Sequence, residues 1–206
     1  EHYGTPATRL HVLPPGLRDE FLAPGPTNAP ELRAELGIPA GALVVLALGS
    51  DFARKGLDRT VAALRELPRE LRARVWLVAV GAARAGRFQR AARALAPRVR
   101  FLSGRDDVLA FYRAADVFVH PAREENTGSV LLEALSQGVP VLASGACGFA
   151  AHVRAARAGV VLGEPFVQPA LVQALRELLE DEARRGELGA RGRRAAQAWP
   201  MAARTD

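Results

Sequence analysis

Leu43-Val44-Val45-Leu46-Ala47-Leu48 is an unbroken apolar run, followed at once by Gly49-Ser50-Asp51. A strand with one face in water alternates apolar and polar residues. A run without polar interruption needs cover on both faces. That points to an interior strand of a parallel sheet with helices above and below. The rest of the chain agrees. Val75–Val80, Val99–Leu102, Val117–Val119, Val139–Ala143 and Val160–Leu162 read as further short strands. Between them, apolar residues recur at helical spacing: Leu57, Val61, Leu64 and Leu67, closed by Pro68; Phe88, Ala91, Ala92 and Leu95, closed by Pro97; Val108–Tyr112; and Val130–Leu135, closed by Gly138.

Leu171–Leu179 and a polar, arginine-rich stretch to about Ala198 predict closing helices. Upstream, Leu10–Leu13 reads as a short strand stopped by Pro14-Pro15-Gly16. Residues 23–30 read as a Pro/Gly loop, and Glu31–Leu36 as a short helix ended by Gly37 and Pro39. Strands separated by helices imply right-handed crossovers. The expected fold is therefore α/β, a doubly wound, Rossmann-like parallel sheet of about six strands. With no repeat and no internal linker, 1–206 is expected to form one domain. Its parts are an entry strand and loop (1–40), a Rossmann-like core (41–182) and a C-terminal helix (183–206).

Composition removes several alternatives. At 49% hydrophobic and 24% charged, the chain can bury a core, so disorder is not its dominant state. Its longest apolar runs, such as Ala42–Leu48, fall far short of the roughly 20 residues a membrane helix needs. One cysteine, Cys147, can form neither an intrachain disulfide nor a thiolate zinc cluster. The formal charge of +6 is carried almost wholly by arginine, Lys55 being the only lysine. It permits an anionic partner without naming one. The chain opens on Glu1 without a basic and apolar leader pattern, so no signal peptide is expected.

Doubly wound sheets bind ligands at the carboxyl ends of their strands, so the loops after Leu48, Leu102, His120 and Ala143 come first. In Gly49-Ser50-Asp51-Phe52-Ala53-Arg54-Lys55-Gly56, Gly49 lets backbone approach a ligand and Ser50 offers a hydroxyl. Arg54 and Lys55 put cations at a helix N-terminus, an arrangement suited to a diphosphate. The Walker spacing is absent, and a loop with solvated cations remains the alternative. In His120-Pro121-Ala122-Arg123-Glu124-Glu125-Asn126-Thr127-Gly128-Ser129-Val130-Leu131-Leu132-Glu133, Glu125 precedes the helix start and Glu133 lies about one turn inside it. Carboxylates accept paired hydroxyl hydrogen bonds, as sugar diols require. N–H groups near Gly128 are free to meet phosphate oxygens. Helix-end charges are the bland reading. In Ser103-Gly104-Arg105-Asp106-Asp107-Val108, Arg105 could stack on a base or be a surface charge. No metal-ligand spacing is present. His120 reads as a structural hydrogen-bond partner ahead of a general base, Cys147 as structural, and Arg84, Arg87, Arg90 and Arg93 as a solvated face ahead of a lipid or nucleic-acid surface.

Taken in order, these segments resemble the C-terminal half of a GT-B, retaining, group 1 glycosyltransferase, most nearly the bacterial lipopolysaccharide core α-1,3-glucosyltransferases. The residues that carry the resemblance are Leu13-Pro14-Pro15-Gly16, Gly49 to Arg59, Ser103 to Val108, Ala115-Asp116, His120-Pro121-Ala122, Glu125 to Glu133, Gly138 to Leu142 and Cys147-Gly148. The resemblance implies a UDP-sugar donor, by default UDP-glucose, with an N-acetylhexosamine donor left open by Asn126-Thr127. The implied catalytic residues are Glu125 beside the donor sugar, with Arg54 and Lys55 on the diphosphate. Gly49, Ser50, Gly128, Ser129 and Val130 would line the donor site, Glu133 would hold the ribose hydroxyls and Arg105 would flank the uracil. Phe21 stands where relatives carry an arginine after Pro-Pro-Gly, and its ring could stack on the base.

The resemblance also implies no cofactor and no metal, and a lipopolysaccharide core acceptor held by an N-terminal domain absent from this chain. It implies a cytoplasmic location, with room for peripheral contact with the inner membrane; a nucleic-acid partner, which +6 and the arginine stripe suggest, is not expected because aromatic interleaving is lacking. The isolated domain would then bind UDP or UDP-sugar without transfer. A non-catalytic nucleotide- or anion-binding module and a sugar-nucleotide epimerase of the same fold are the alternatives. All of these readings require Lys55 and Glu125 to converge.

Overall fold

The computed structural model describes residues 16–22, 28–81 and 86–199. The expected strand Leu10–Leu13, the Pro-Pro pair after it and Arg84 lie outside them. Six parallel strands make up the sheet: β1 (Leu43–Leu48), β2 (Val75–Gly81), β3 (Val99–Ser103), β4 (Val117–His120), β5 (Val141–Ser144) and β6 (Gly159–Leu162). Their order is β3-β2-β1-β4-β5-β6. The chain winds outward from β1 through β2 to β3, then returns to β1's other side and winds out through β6. β1 pairs with β2 from Leu43↔Val75 to Leu48↔Val80, and with β4 at Val45↔Val117 and Leu46↔Phe118.

Every residue of β1 is buried, as the apolar run requires. Because strand side chains alternate, β1 feeds both cores. Val44, Leu46 and Leu48 face one layer, with Trp76, Val78 and Val80 of β2. That layer contains α1 (Asp19–Leu22), α2 (Ala29–Glu35), α6 (Val108–Ala114), α7 (Ser129–Ser136) and α8 (Ala150–Ala156). Leu43, Val45 and Ala47 face the other. It is built from α3 (Leu57–Glu66), α4 (Arg69–Arg72), α5 (Gly86–Ala91) with a 3₁₀ turn at Ala92–Leu95, and α9 (Gln168–Glu180). α10 (Glu182–Ala198) closes the described chain. It is docked, not appended: Gly189 and Gly192 allow close approach to the Gly138 and Leu135 backbone at the end of α7.

Local differences from the sequence reading have simple causes. α2 begins at Ala29, inside the expected loop, because a proline in the first helical turn forfeits no intrahelical bond. β5 begins at Val141 and not Val139, since Pro140 has no N–H for the ladder. Phe88, Ala92 and Leu95 are buried as expected, but Ala91 faces solvent where α5 passes into the 3₁₀ turn.

Candidate functional site

Neighbouring strands β1 and β4 belong to opposite arms of the winding, so the loops leaving their carboxyl ends flank a crevice. The β1 loop is a turn closed on Asp51. Its Oδ1 accepts from the N–H groups of Ala53 and Arg54, each at 3.1 Å, and its carbonyl from Lys55 N at 2.9 Å. This turn sends Arg54 and Lys55 toward the β4 loop. There the two loops are sewn together. Arg123 N donates to Arg54 O at 2.8 Å, and its guanidinium donates to Ala53 O at 2.8 Å and to both Asp58 oxygens at 2.8 and 2.6 Å. Arg59 donates to Pro121 O at 3.0 Å. Gly56 stands at φ +72°, and a Cβ there would lie 2.1 Å from Pro121 O. Only glycine satisfies both the left-handed backbone and the approach.

From the other side the β5 loop fixes the same segment. Gly148 N donates to Glu125 O at 3.0 Å and Phe149 N to Thr127 O at 2.8 Å, with a bridge between Glu125 and Cys147. The Glu125 backbone is thus clamped between two loops while its side chain enters the crevice. Lys55 Nζ is ion-paired with Glu125 Oε2, and Arg54 Nη1 stands 3.9 Å from Oε1. The Glu125 side chain is 9% exposed and that of Arg54 40%. Lys55 and Glu125 therefore converge, as the sequence reading requires.

His120 Nε2 lies 3.3 Å from Glu125 Oε2. Burial, and then the charges of Lys55 and Arg54, draw the imidazole pKa down to about 3. The ring is neutral near pH 7. Because a carboxylate only accepts, Nε2 carries the proton and donates. His120 is thus a fixed hydrogen-bond partner of Glu125. Burial, then Arg54, also lowers the Lys55 pKa, with Cys147 and Asp51 opposing. Cys147 is buried, its thiol pushed up by burial and its Sγ 3.8 Å from His120 O and Ser144 Oγ.

Gly128 caps α7, whose first-turn N–H groups at Ser129 and Val130 have no intrahelical acceptor. Glu133 follows on this helix and receives the Tyr112 hydroxyl at 3.0 Å. Burial raises its pKa, opposed by Tyr112, Arg18 and Ser129. Gly49 continues the β1 backbone, its N–H on Val80 O at 3.1 Å, and Ser50 beside it is exposed. Arg105 grips Asp107 through two bonds of 2.8 Å and Glu35 at 3.2 Å, with its plane 5.5 Å over Phe111. Those carboxylates raise its pKa.

The placement of Phe21 corrects its expected role. Phe21 is 2% exposed and packs edge-on against Tyr112 at 6.1 Å, so its ring belongs to the core and offers no free face to a base. The group on its outer side is Arg18, 5.2 Å over the ring and within electrostatic reach of Glu133. An arginine two residues after Pro-Pro-Gly was the available signal. Among the described residues no cluster of three His, Cys, Asp or Glu side chains is placed to hold a metal ion.

The six-stranded, doubly wound parallel sheet matches GT-B glycosyltransferase structures. The model of the family "Glycosyl transferases group 1" matches residues 28–195, and the chain belongs to that family. Among its relatives, the lipopolysaccharide glucosyltransferase WaaG of Escherichia coli K12 is 40% identical over 183 residues, 87% of this chain and 49% of WaaG. A crystal structure of WaaG aligns with TM-score 0.90 at 37% identity, over 98% of this chain and 55% of the other. A D-inositol 3-phosphate glycosyltransferase of Kineococcus radiotolerans is 36% identical over 218 residues, 96% of this chain and 50% of its own length. Anabaena HepE, solved with UDP-glucose, shares the fold at TM-score 0.82 and 24% identity, covering 96% of this chain and 55% of HepE. The chain spans about half the length of the curated relatives it matches.

Proposed function

We propose that this chain is the donor-binding half of a retaining hexosyltransferase that moves glucose from UDP-glucose to a lipopolysaccharide core acceptor. The observation that carries the reading is the convergence of Arg54 and Lys55 on Glu125 across the β1–β4 crevice. When the sugar C1–oxygen bond breaks, its electron pair passes to the departing β-phosphate oxygen. Arg54, Lys55 and the N–H groups at Ser129 and Val130 neutralise that charge, with Gly49 and Ser50 lining the approach. Glu125, oriented by His120, faces the donor sugar and stabilises positive charge developing at C1. Glu133 takes the ribose hydroxyls and Arg105 flanks the uracil. The chain's own cations carry the diphosphate, so the reading invokes no metal and no cofactor.

The relatives' names and the UDP-glucose complex of HepE support the donor class. The acceptor is held by a separate N-terminal domain, so the isolated chain binds donor without transferring it. No helix among the described residues is long and apolar enough to cross a membrane. The protein acts on the cytoplasmic side of the inner membrane, with peripheral contact. Calorimetric titration of the chain with UDP-glucose and UDP tests the reading. Saturable heat without glucose release is expected, and no heat at millimolar nucleotide with the fold intact overturns it.

A further inference from the structure

We propose that Tyr112 is a positioning residue for donor binding, holding the Glu133 carboxylate in the orientation that a ribose diol requires. The proposal rests on the ribose role assigned to Glu133 above. Tyr112 lies on the inner face of α6, fully buried, between Phe21 at 6.1 Å and Phe118 at 5.5 Å, both edge-on. Its ring has no freedom to turn, so its hydroxyl is a fixed point. That hydroxyl reaches across to α7, 3.0 Å from Glu133 Oε2 and 3.2 Å from Val130 O. The hydroxyl has one proton for these two acceptors, and the shorter contact is to the charged oxygen of Glu133.

The geometry divides the carboxylate's work. Tyr112 takes one acceptor position on Oε2 and the Ser129 side chain another on the same carboxylate, which leaves the remaining lone pairs to accept hydroxyl protons. Burial favours a protonated Glu133, which would lose an acceptor. The Tyr112 bond opposes that change, together with Ser129 on α7 and Arg18 before α1, while Glu20 favours it. Tyr112 remains a donor throughout, because burial and the Glu133 charge hold its own proton on. Tyr112 does not itself touch the nucleotide. It acts through Glu133.

The test compares UDP with 2′,3′-dideoxy-UDP by calorimetric titration, on the wild-type chain and on Tyr112→Phe. The wild type is expected to prefer UDP. In Tyr112→Phe that preference should shrink by about 3- to 10-fold, the size of one ordinary hydrogen bond, while affinity for the dideoxy nucleotide holds. Glu133→Ala alone should abolish the preference, and in that background adding Tyr112→Phe should change it no further. An undiminished preference in Tyr112→Phe overturns the proposal. So does an equal loss for both nucleotides, which marks a merely structural role. A wild-type chain that binds neither nucleotide, or both alike, overturns instead the donor-site reading on which the proposal stands.

Discussion

His120 makes stability depend on pH. Its imidazole titrates near 3 in the fold and near 6.5 when free, with burial as the leading cause. Between those values the unfolded chain binds a proton that the folded chain does not, so stability rises with pH across the window. The contribution is complete above about pH 6.5 and is lost as pH falls toward 3. Glu133 works in the opposite sense, since its raised pKa lets the folded state bind more protons just above 4.5. The two are separated by variant, not by the absolute curve. His120→Gln keeps a donor for Glu125 and cannot titrate. Urea unfolding from pH 7.5 to 4 should show a shallower acid decline for His120→Gln than for wild type, by on the order of a few kcal/mol across the window. Parallel curves would place the acid sensitivity elsewhere. The sequence marks His120 as a strand end before Pro121 and favours a structural hydrogen bond there, without naming Glu125 as the partner. The lowered His120 pKa depends on burial and on the charges of Lys55 and Arg54, which only folding brings close.

At the scale of elements, the site depends on how the β1 and β4 loops are joined. Gly56 is the tightest point, and its replacement separates two costs. Alanine there meets a left-handed backbone, worth about 1–2 kcal/mol, and also a carbonyl oxygen at 2.1 Å. Gly41 has a similar φ of +76° with open space around it, so Gly41→Ala incurs only the backbone cost. Thermal melts should show Gly56→Ala falling several degrees further than Gly41→Ala, with UDP affinity lost in the first alone. Equal losses would mean that the seam does not position Arg54 and Lys55. This level was legible in part. Apolar runs and helical spacing gave the six strands and most helices, because burial writes a period into the sequence. α8 was missed because Ala150–Ala156 has only Ala150 and Val153 buried and so shows no apolar stripe. The stitches of Arg123 to Ala53 and Asp58, or of Gly148 to Glu125, join distant stretches of chain and leave no local pattern to read. Tyr112 looked like one more core residue of α6, since its hydroxyl partner lies on another helix.

For the whole molecule, the strand order ties ligand binding to global stability. β1 and β4 are central strands, so displacing the loops after them disturbs both cores. α10 is part of this unit: Leu188 and Ala196 are buried, and Gly189 and Gly192 pack on the end of α7, the helix that carries Glu133. Unfolding should therefore be a single transition that includes α10, and a ligand at the switch point should raise it as a whole. By mass action, UDP at about 100 times its Kd adds roughly 2.7 kcal/mol, which for a domain of this size is about 5–10 °C. Differential scanning calorimetry with UDP, uridine or inorganic phosphate resolves the contributions. UDP should give the full shift, and each fragment a smaller one, because the contacts proposed for base, ribose and diphosphate are spread over the β1 and β3 loops and α7, all joined to one sheet. A melt that splits into two steps, with UDP moving only one of them, would show that α10 and the nucleotide loops belong to separate cooperative units.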